Sequence, residues 1–359
     1  MRLNLSGRTA IGLDLGQRSV GAMQLAGRPG AWRVEAATSV DRATSADGSG
    51  ELPSAHELER LAEVLKRQGF TGRKVVLAAP DTKVFSAALE LPPRSSGAPI
   101  EDLARQELAR AARRDVNAVE VACWEVPSPP RTIEGTNVLA VGLAHEDAER
   151  LLDAMENAGF IVEAMDCRCL AMSRASRGVL GDVAQVSSIL DLSDAAASLT
   201  VVHSGIVAYD RPMREAGLAQ LRQALRKELK VDAEGAEFLL ERVGMAGGDE
   251  SLSEHTLRAA KGLVDDHVGI VIQELRSVMA YAMHRYPGSV GPVLLTGEGA
   301  LLVGLADKVR GELDLEARVV RPAELVEVPA ELAAACDDPS LCAAVGLAMY
   351  SPVAARRAA

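Results

Sequence analysis

An α/β protein of two related lobes is the fold class this sequence predicts, and three observations predict it. A hydrophobic-Asp-hydrophobic turn occurs twice, as Ile11-Gly12-Leu13-Asp14-Leu15-Gly16 and as Ile189-Leu190-Asp191-Leu192-Ser193. A third strand near the C-terminus ends in Leu294-Leu295-Thr296-Gly297-Glu298-Gly299. With 359 residues, 48% of them apolar, the chain is too long for one simple core and has ample material for two or more.

The elements follow in order. Ala10 to Leu15 and Val20 to Leu25 are apolar runs on either side of Gly16-Gln17-Arg18-Ser19, the pattern of a hairpin, and Trp32 to Thr38 adds a third strand. The polar, Gly/Ser-rich stretch Asp41 to Gly50 reads as a surface loop. Ser54 followed by Glu57 is a capping box, and Leu58, Leu61, Ala62 and Leu65 then keep helical spacing to about Gly69. Val75 to Pro80 is a buried-type strand. From about Asp81 to Met165 the order becomes strand, helix, strand, strand, helix, strand, with helices near Ile100 to Arg113 and His145 to Ala158. Pro127-Ser128-Pro129-Pro130 begins a loop, because prolines cannot donate to a ladder. After a strand at Ile161 to Asp166 and a short helix through Ala175, strands at Ser188 to Leu192, Leu199 to His203 and Ile206 to Tyr209 repeat the opening pattern. Helices are expected over Glu215 to Leu229, Glu234 to Val243 and Leu252 to Tyr286, then the strand Val293 to Thr296, a helix from Ala300 and a final helix at Leu341 to Met349.

Composition removes several function classes. A net charge of -11 with 3% aromatics argues against a nucleic-acid surface, which needs clustered basic residues and stacking rings. No run reaches the roughly 18 apolar residues a membrane helix needs, and the N-terminus leads into a strand, not a signal segment, so a cytoplasmic location is expected. Five cysteines without C-x-x-C spacing fit reduced thiols, with Cys167 and Cys169 sharing a face if extended. Six scattered histidines form no ligand-spaced pair.

The two Asp turns and the Thr-Gly turn, in this order and spacing, resemble the actin-like ATPase fold. Leu170-Ala171-Met172-Ser173-Arg174-Ala175 and the run Leu295 to Leu305 narrow the resemblance to the PilM family of type IV pilus assembly proteins, relatives of the division protein FtsA. The resemblance implies two lobes of duplicated strand-rich α/β domains with a PilM/FtsA-type inserted subdomain. The first lobe core would be 1–80 with 166–185 and the C-terminal 331–359, the partner-binding insertion 81–165, the second lobe core 186–214 and 287–330, and its helical subdomain 215–286.

It further implies ATP and magnesium as cofactors. Backbone N–H groups of Gly16, Gln17, Arg18 and Ser19 would cradle the phosphates, with the Ser19 hydroxyl added. Asp14 would hold magnesium through bound water, and Asp191 and Ser193 would form the second phosphate turn. Glu237 would meet the ribose or base, and Gly297, Glu298 and Gly299 would close over the adenosine. Read alone, a D-x-G turn serves equally well as plain hairpin geometry. Four positions depart from the family pattern: Gly21 for a basic residue, Ser193 for Gly, Glu298 for Gly and Leu240 for Lys. Ser193 brings a β-carbon to a place where a positive φ is expected, and Glu298 brings a carboxylate. The nucleotide site is therefore expected to be degenerate, with no catalytic residue identified and at most weak ATPase activity. Asp191 is left between positioning a water and simple turn geometry.

The expected function is a cytoplasmic scaffold of a type IV pilus, competence or type II secretion platform. Its partner would be the N-terminal tail of a PilN-like inner-membrane protein, with a pilus motor ATPase and self-association as further partners and the membrane reached only indirectly. The alternatives are an active nucleotide-regulated FtsA-like ATPase and an actin-fold small-molecule kinase. The first needs a basic amphipathic C-terminal helix, which Ser351 to Ala359 does not supply; the second needs a catalytic Asp and a substrate pocket, for which no motif appears.

Overall fold

The computed structural model describes residues 7–42, 52–128, 135–181, 185–286 and 288–351. Residues 43–50 of the expected polar loop, Pro129 and Pro130 of the proline loop, and the tail beyond Ser351 lie outside the described residues.

Strands β1 (Ile11–Leu15), β2 (Ser19–Arg28) and β3 (Ala31–Asp41) form an antiparallel meander. Helix α1 (Ala55–Arg67) starts at the capping box: the Glu57 amide donates to Ser54 Oγ at 3.2 Å and the Ser54 amide donates back to Glu57 Oε2 at 2.8 Å. Strand β4 (Lys74–Ala78) then returns parallel to β1. Next come β5 (Phe85–Leu91), α2 (Ile100–Ala111), β6 (Val119–Glu125), β7 (Thr136–Ala144), α3 (His145–Asn157) and β8 (Ile161–Asp166). The first sheet has the order β3-β2-β1-β4-β8, so β8 belongs to it and not to the insertion. Helix α3 likewise covers the first sheet, with Leu151 and Met155 in one cluster with Leu13, Leu61 and Leu77. The separate three-stranded sheet β5-β7-β6 with α2 is thus shorter than the 81–165 read from the element order. Sequence order alone does not say which sheet a strand joins.

Helix α4 (Arg168–Ser176) leads to the second half: β9 (Val186–Leu192), β10 (Ala197–His203), β11 (Ile206–Met213), α5 (Leu218–Leu229), α6 (Ala233–Leu239), α7 (Glu254–Arg285), β12 (Val290–Thr296), α8 (Leu305–Leu313) and β13 (Ala317–Val319). The second sheet, β11-β10-β9-β12-β13, repeats the first in order and direction. Helix α5 begins after a short 3₁₀ turn over Arg214–Ala216, later than the expected Glu215, and Ser253 caps α7 by accepting from the Thr256 amide at 3.1 Å. The chain closes with α9 (Pro322–Leu325) and α10 (Cys342–Ala348), which return to the first lobe.

Strand β1, central in a mixed sheet, is buried along its whole length because both faces of that sheet are covered. Helix α10 approaches closely on one face: a Cβ at Gly12 would lie 2.3 Å from the Ala344 carbonyl, and one at Gly346 would lie 1.9 Å from the Ala171 carbonyl of α4. The inserted sheet does not hang free. Trp124 Nε1 donates to the Val207 carbonyl at 2.8 Å, Arg285 Nη2 donates to Asn137 Oδ1 at 2.6 Å, and Val126 and Leu139 join the core of the second lobe. Cys169 lies on α4 and Cys167 at its N-cap, so the two do not share a strand face; all five cysteines are free thiols.

Candidate functional site

The ends of β1 and β9 face each other across the cleft between the lobes and carry Asp14 and Asp191, both buried. Arg168, the first residue of α4, lies between them. Its Nη1 donates to Asp14 Oδ1 at 2.5 Å, its Nε to Asp191 Oδ2 at 2.7 Å, and its Nη2 to Ser193 Oγ at 3.0 Å. Asp81 Oδ2, just past β4, lies 3.8 Å from Nε. Ser193 Oγ in turn donates to Asp191 Oδ2 at 3.2 Å. The planar guanidinium fork suits this task, since it presents several fixed donors to separate oxygens.

Three carboxylates around one cation leave an excess of negative charge. Burial pushes the Asp14 carboxyl up to about 6, Asp81 and Asp191 add to the shift, and Arg168 opposes it. Burial also raises Asp81. For Arg168, burial works against the charge, but Asp14, Asp191 and Asp81 outweigh it and keep the guanidinium protonated.

Further out a second arginine repeats the pattern. Arg222 of α5 is 8% exposed; its Nε donates to Glu237 Oε2 at 2.8 Å, its Nη2 to Glu298 Oε1 at 2.7 Å, and its Nη1 to Asp194. Arg18 of the first turn meets Glu237 Oε2 at 2.7 Å from the other lobe. Burial raises Glu298 and Asp194 despite Arg222. For Glu237, burial is outweighed by hydrogen bonds and charge from Arg222 and Arg18, which hold it below the ordinary range.

The expected site residues therefore converge, but onto one another. In the first turn the Gly16 amide donates to the Asp14 carbonyl at 3.1 Å, and the Gly16 carbonyl accepts from Arg42 Nη1 at 3.1 Å. A Cβ at Gly16 would stand 2.7 Å from the Ser19 carbonyl, which accounts for the glycine by turn geometry. Ser193 is not among the positive-φ residues, so its β-carbon meets no backbone penalty. Gly297 has φ +78°, and a Cβ there would lie 2.6 Å from Asp191 Oδ1, so the Thr-Gly turn leans directly on the second Asp turn. Glu298 turns inward to Arg222. Leu240 is fully buried in the second-lobe core. It begins a π-helical segment, Leu240–Met245, that follows α6. A Cβ at Gly21 would meet Leu341 Cδ2 at 3.1 Å, so a larger residue in place of Gly21 would need that side chain to move.

In this arrangement the groups expected to meet magnesium and phosphate are paired with one another. Asp14, Asp81, Asp191, Asp194, Glu237 and Glu298 line the cleft against Arg18, Arg168 and Arg222, and the cations are engaged by the acids. Phosphates entering the cleft would have to displace these pairs, and Asp191 is bonded to Arg168 and Ser193. Among the described residues, no group of three or more His, Cys, Asp or Glu is placed to hold a metal ion.

Sequence reasoning missed Arg168, Arg222, Asp81 and Asp194. One signal for Arg168 was available: a cation in the first turn of a helix opposes the helix dipole, so an Arg between Cys167 and Cys169 at that place needs acidic partners.

Fold and cleft together define an actin-like ATPase fold with its nucleotide cleft filled by its own ion pairs. Among solved structures, the chain is similar to a PilM-PilN type IV pilus biogenesis complex, with TM-score 0.78, 19% identity, and 95% of this chain and 98% of that chain covered. The ethanolamine utilization protein EutJ of Carboxydothermus hydrogenoformans gives TM-score 0.53 at 16% identity, covering 96% and 90%. MreB5 of Spiroplasma citri bound to AMPPNP gives 0.52 at 12%, covering 98% of both chains. No curated protein matches the sequence. The family model described as Type IV pilus assembly protein PilM matches residues 12–352. The chain belongs to the PilM family.

Proposed function

We propose that this protein is a cytoplasmic scaffold in the inner-membrane platform of a type IV pilus, competence or type II secretion machine, and that it works without nucleotide. It docks the short N-terminal tail of a PilN-type membrane protein, and through that partner alone it reaches the membrane. Membership of the PilM family supports the assembly role, and likeness in shape to a chain of a PilM-PilN complex supports the partner class. The observation that carries the nucleotide-free reading is the cleft, where Arg168 and Arg222 satisfy the acids otherwise available for magnesium and ribose. A short tail would gain main-chain hydrogen bonds and a few apolar anchors in a groove between the first lobe and the inserted sheet.

The test is titration calorimetry of the full chain with synthetic PilN-type tail peptides, in the presence and absence of magnesium and millimolar ATP. Saturable binding with an affinity that ATP leaves unchanged is expected, with hydrogen-exchange protection falling on residues 79–91. Binding that appears only with ATP would overturn the nucleotide-free reading, and no binding to any tail peptide would overturn the scaffold.

A further inference from the structure

We infer that Arg168 is a built-in latch: it stands in the cleft as a fixed cation and holds the two lobes closed with no ligand present. The inference rests on the nucleotide-free reading and adds what replaces the ligand. Each of its three nitrogens bonds a different side chain, Asp14 on the first sheet and Asp191 and Ser193 on the second, so the guanidinium cannot move without breaking bonds to both lobes. Its side chain is 12% exposed, and those of Asp14 and Asp191 are 8% and 5% exposed, so solvent screens these pairs little. The position also opposes the dipole of α4, so it is the carboxylates that supply the attraction holding the charge there.

A second crossing, Arg18 to Glu237, is the weaker one, since the Arg18 side chain is 41% exposed. The inserted sheet is bonded to the second lobe through Trp124 and Arg285. Release of Arg168 should therefore part the cleft at its mouth while the rest of the molecule stays assembled. The Gly297 amide reports this directly, because it donates to the Pro339 carbonyl, at 3.3 Å, from one lobe to the other.

Hydrogen-exchange mass spectrometry on the full chain, wild type against Arg168→Met and Arg168→Lys, tests the latch. The expected result is exchange at least tenfold faster in peptides spanning residues 14–19 and 296–300 for Arg168→Met, a smaller rise for Arg168→Lys, and no change in β7. Should Arg168→Met fail to fold, the combination Asp14→Asn, Arg168→Met, Asp191→Asn removes the charges together and gives the same readout. Unchanged exchange in a folded variant overturns the latch, and so does a rise spread evenly through β7 and β12, which marks general loosening. A separate arm adds magnesium and ATP to the wild type: slowing of the same peptides would sink the nucleotide-free reading, while the variants still judge the latch on their own.

Discussion

Asp210 shows how burial without a full partner sets a pH response. Among the described residues its side chain accepts one bond, from Thr200 Oγ1 at 2.9 Å, and burial raises its carboxyl to about 7, with Asp81 and Asp191 adding to the shift. The folded chain therefore binds a proton here that the unfolded chain has released, so the stability from this group is complete below pH 4 and is lost as pH rises to 7. Asp210→Asn, neutral throughout, should match wild type near pH 4 and exceed it by about 4 kcal/mol at pH 8 in urea denaturation. Asp14 acts in the same direction between pH 4 and about 6. Arg168→Met should cost about 3–5 kcal/mol in the same assay at pH 7, because it strands buried carboxylates without their cation. Thr296 presents the opposite case: its Oγ1 is buried with no partner among the described residues, so Thr296→Val should leave the melting temperature unchanged or raise it.

Elements were legible where the signal is local. The capping box of α1 and the two strand–turn–strand patterns depend on residues within one turn or one hairpin, and both appear where the residues place them. Ser54→Ala should cost about 1 kcal/mol by thermal denaturation, with the loss confined to α1 amides in hydrogen exchange. What stayed hidden depends on distance along the chain. Arg168 and Asp14 are 154 residues apart, and β8 pairs with β4 across the whole insertion. No periodicity announces such contacts. Gly346→Ala adds a Cβ 1.9 Å from the Ala171 carbonyl, and should cost more than the 1–3 kcal/mol typical of about one extra methyl in a core, measured by urea denaturation.

For the whole molecule, magnesium with ATP should not move the melting temperature, whereas a ligand at about 100 times its dissociation constant would add about 2.7 kcal/mol. The repeated sheets differ in how they are completed. The second lobe is nearly continuous in sequence from β9 to β13, but one face of the first sheet, with Met23, Leu25 and Val34, is covered by Val326, Cys336, Leu341 and Val345. During synthesis that face stays uncovered while all of the second lobe is made. The half of the protein that leaves the ribosome first is thus finished last, and Met23, Leu25 and Val34 are the surface a chaperone would meet in the interval.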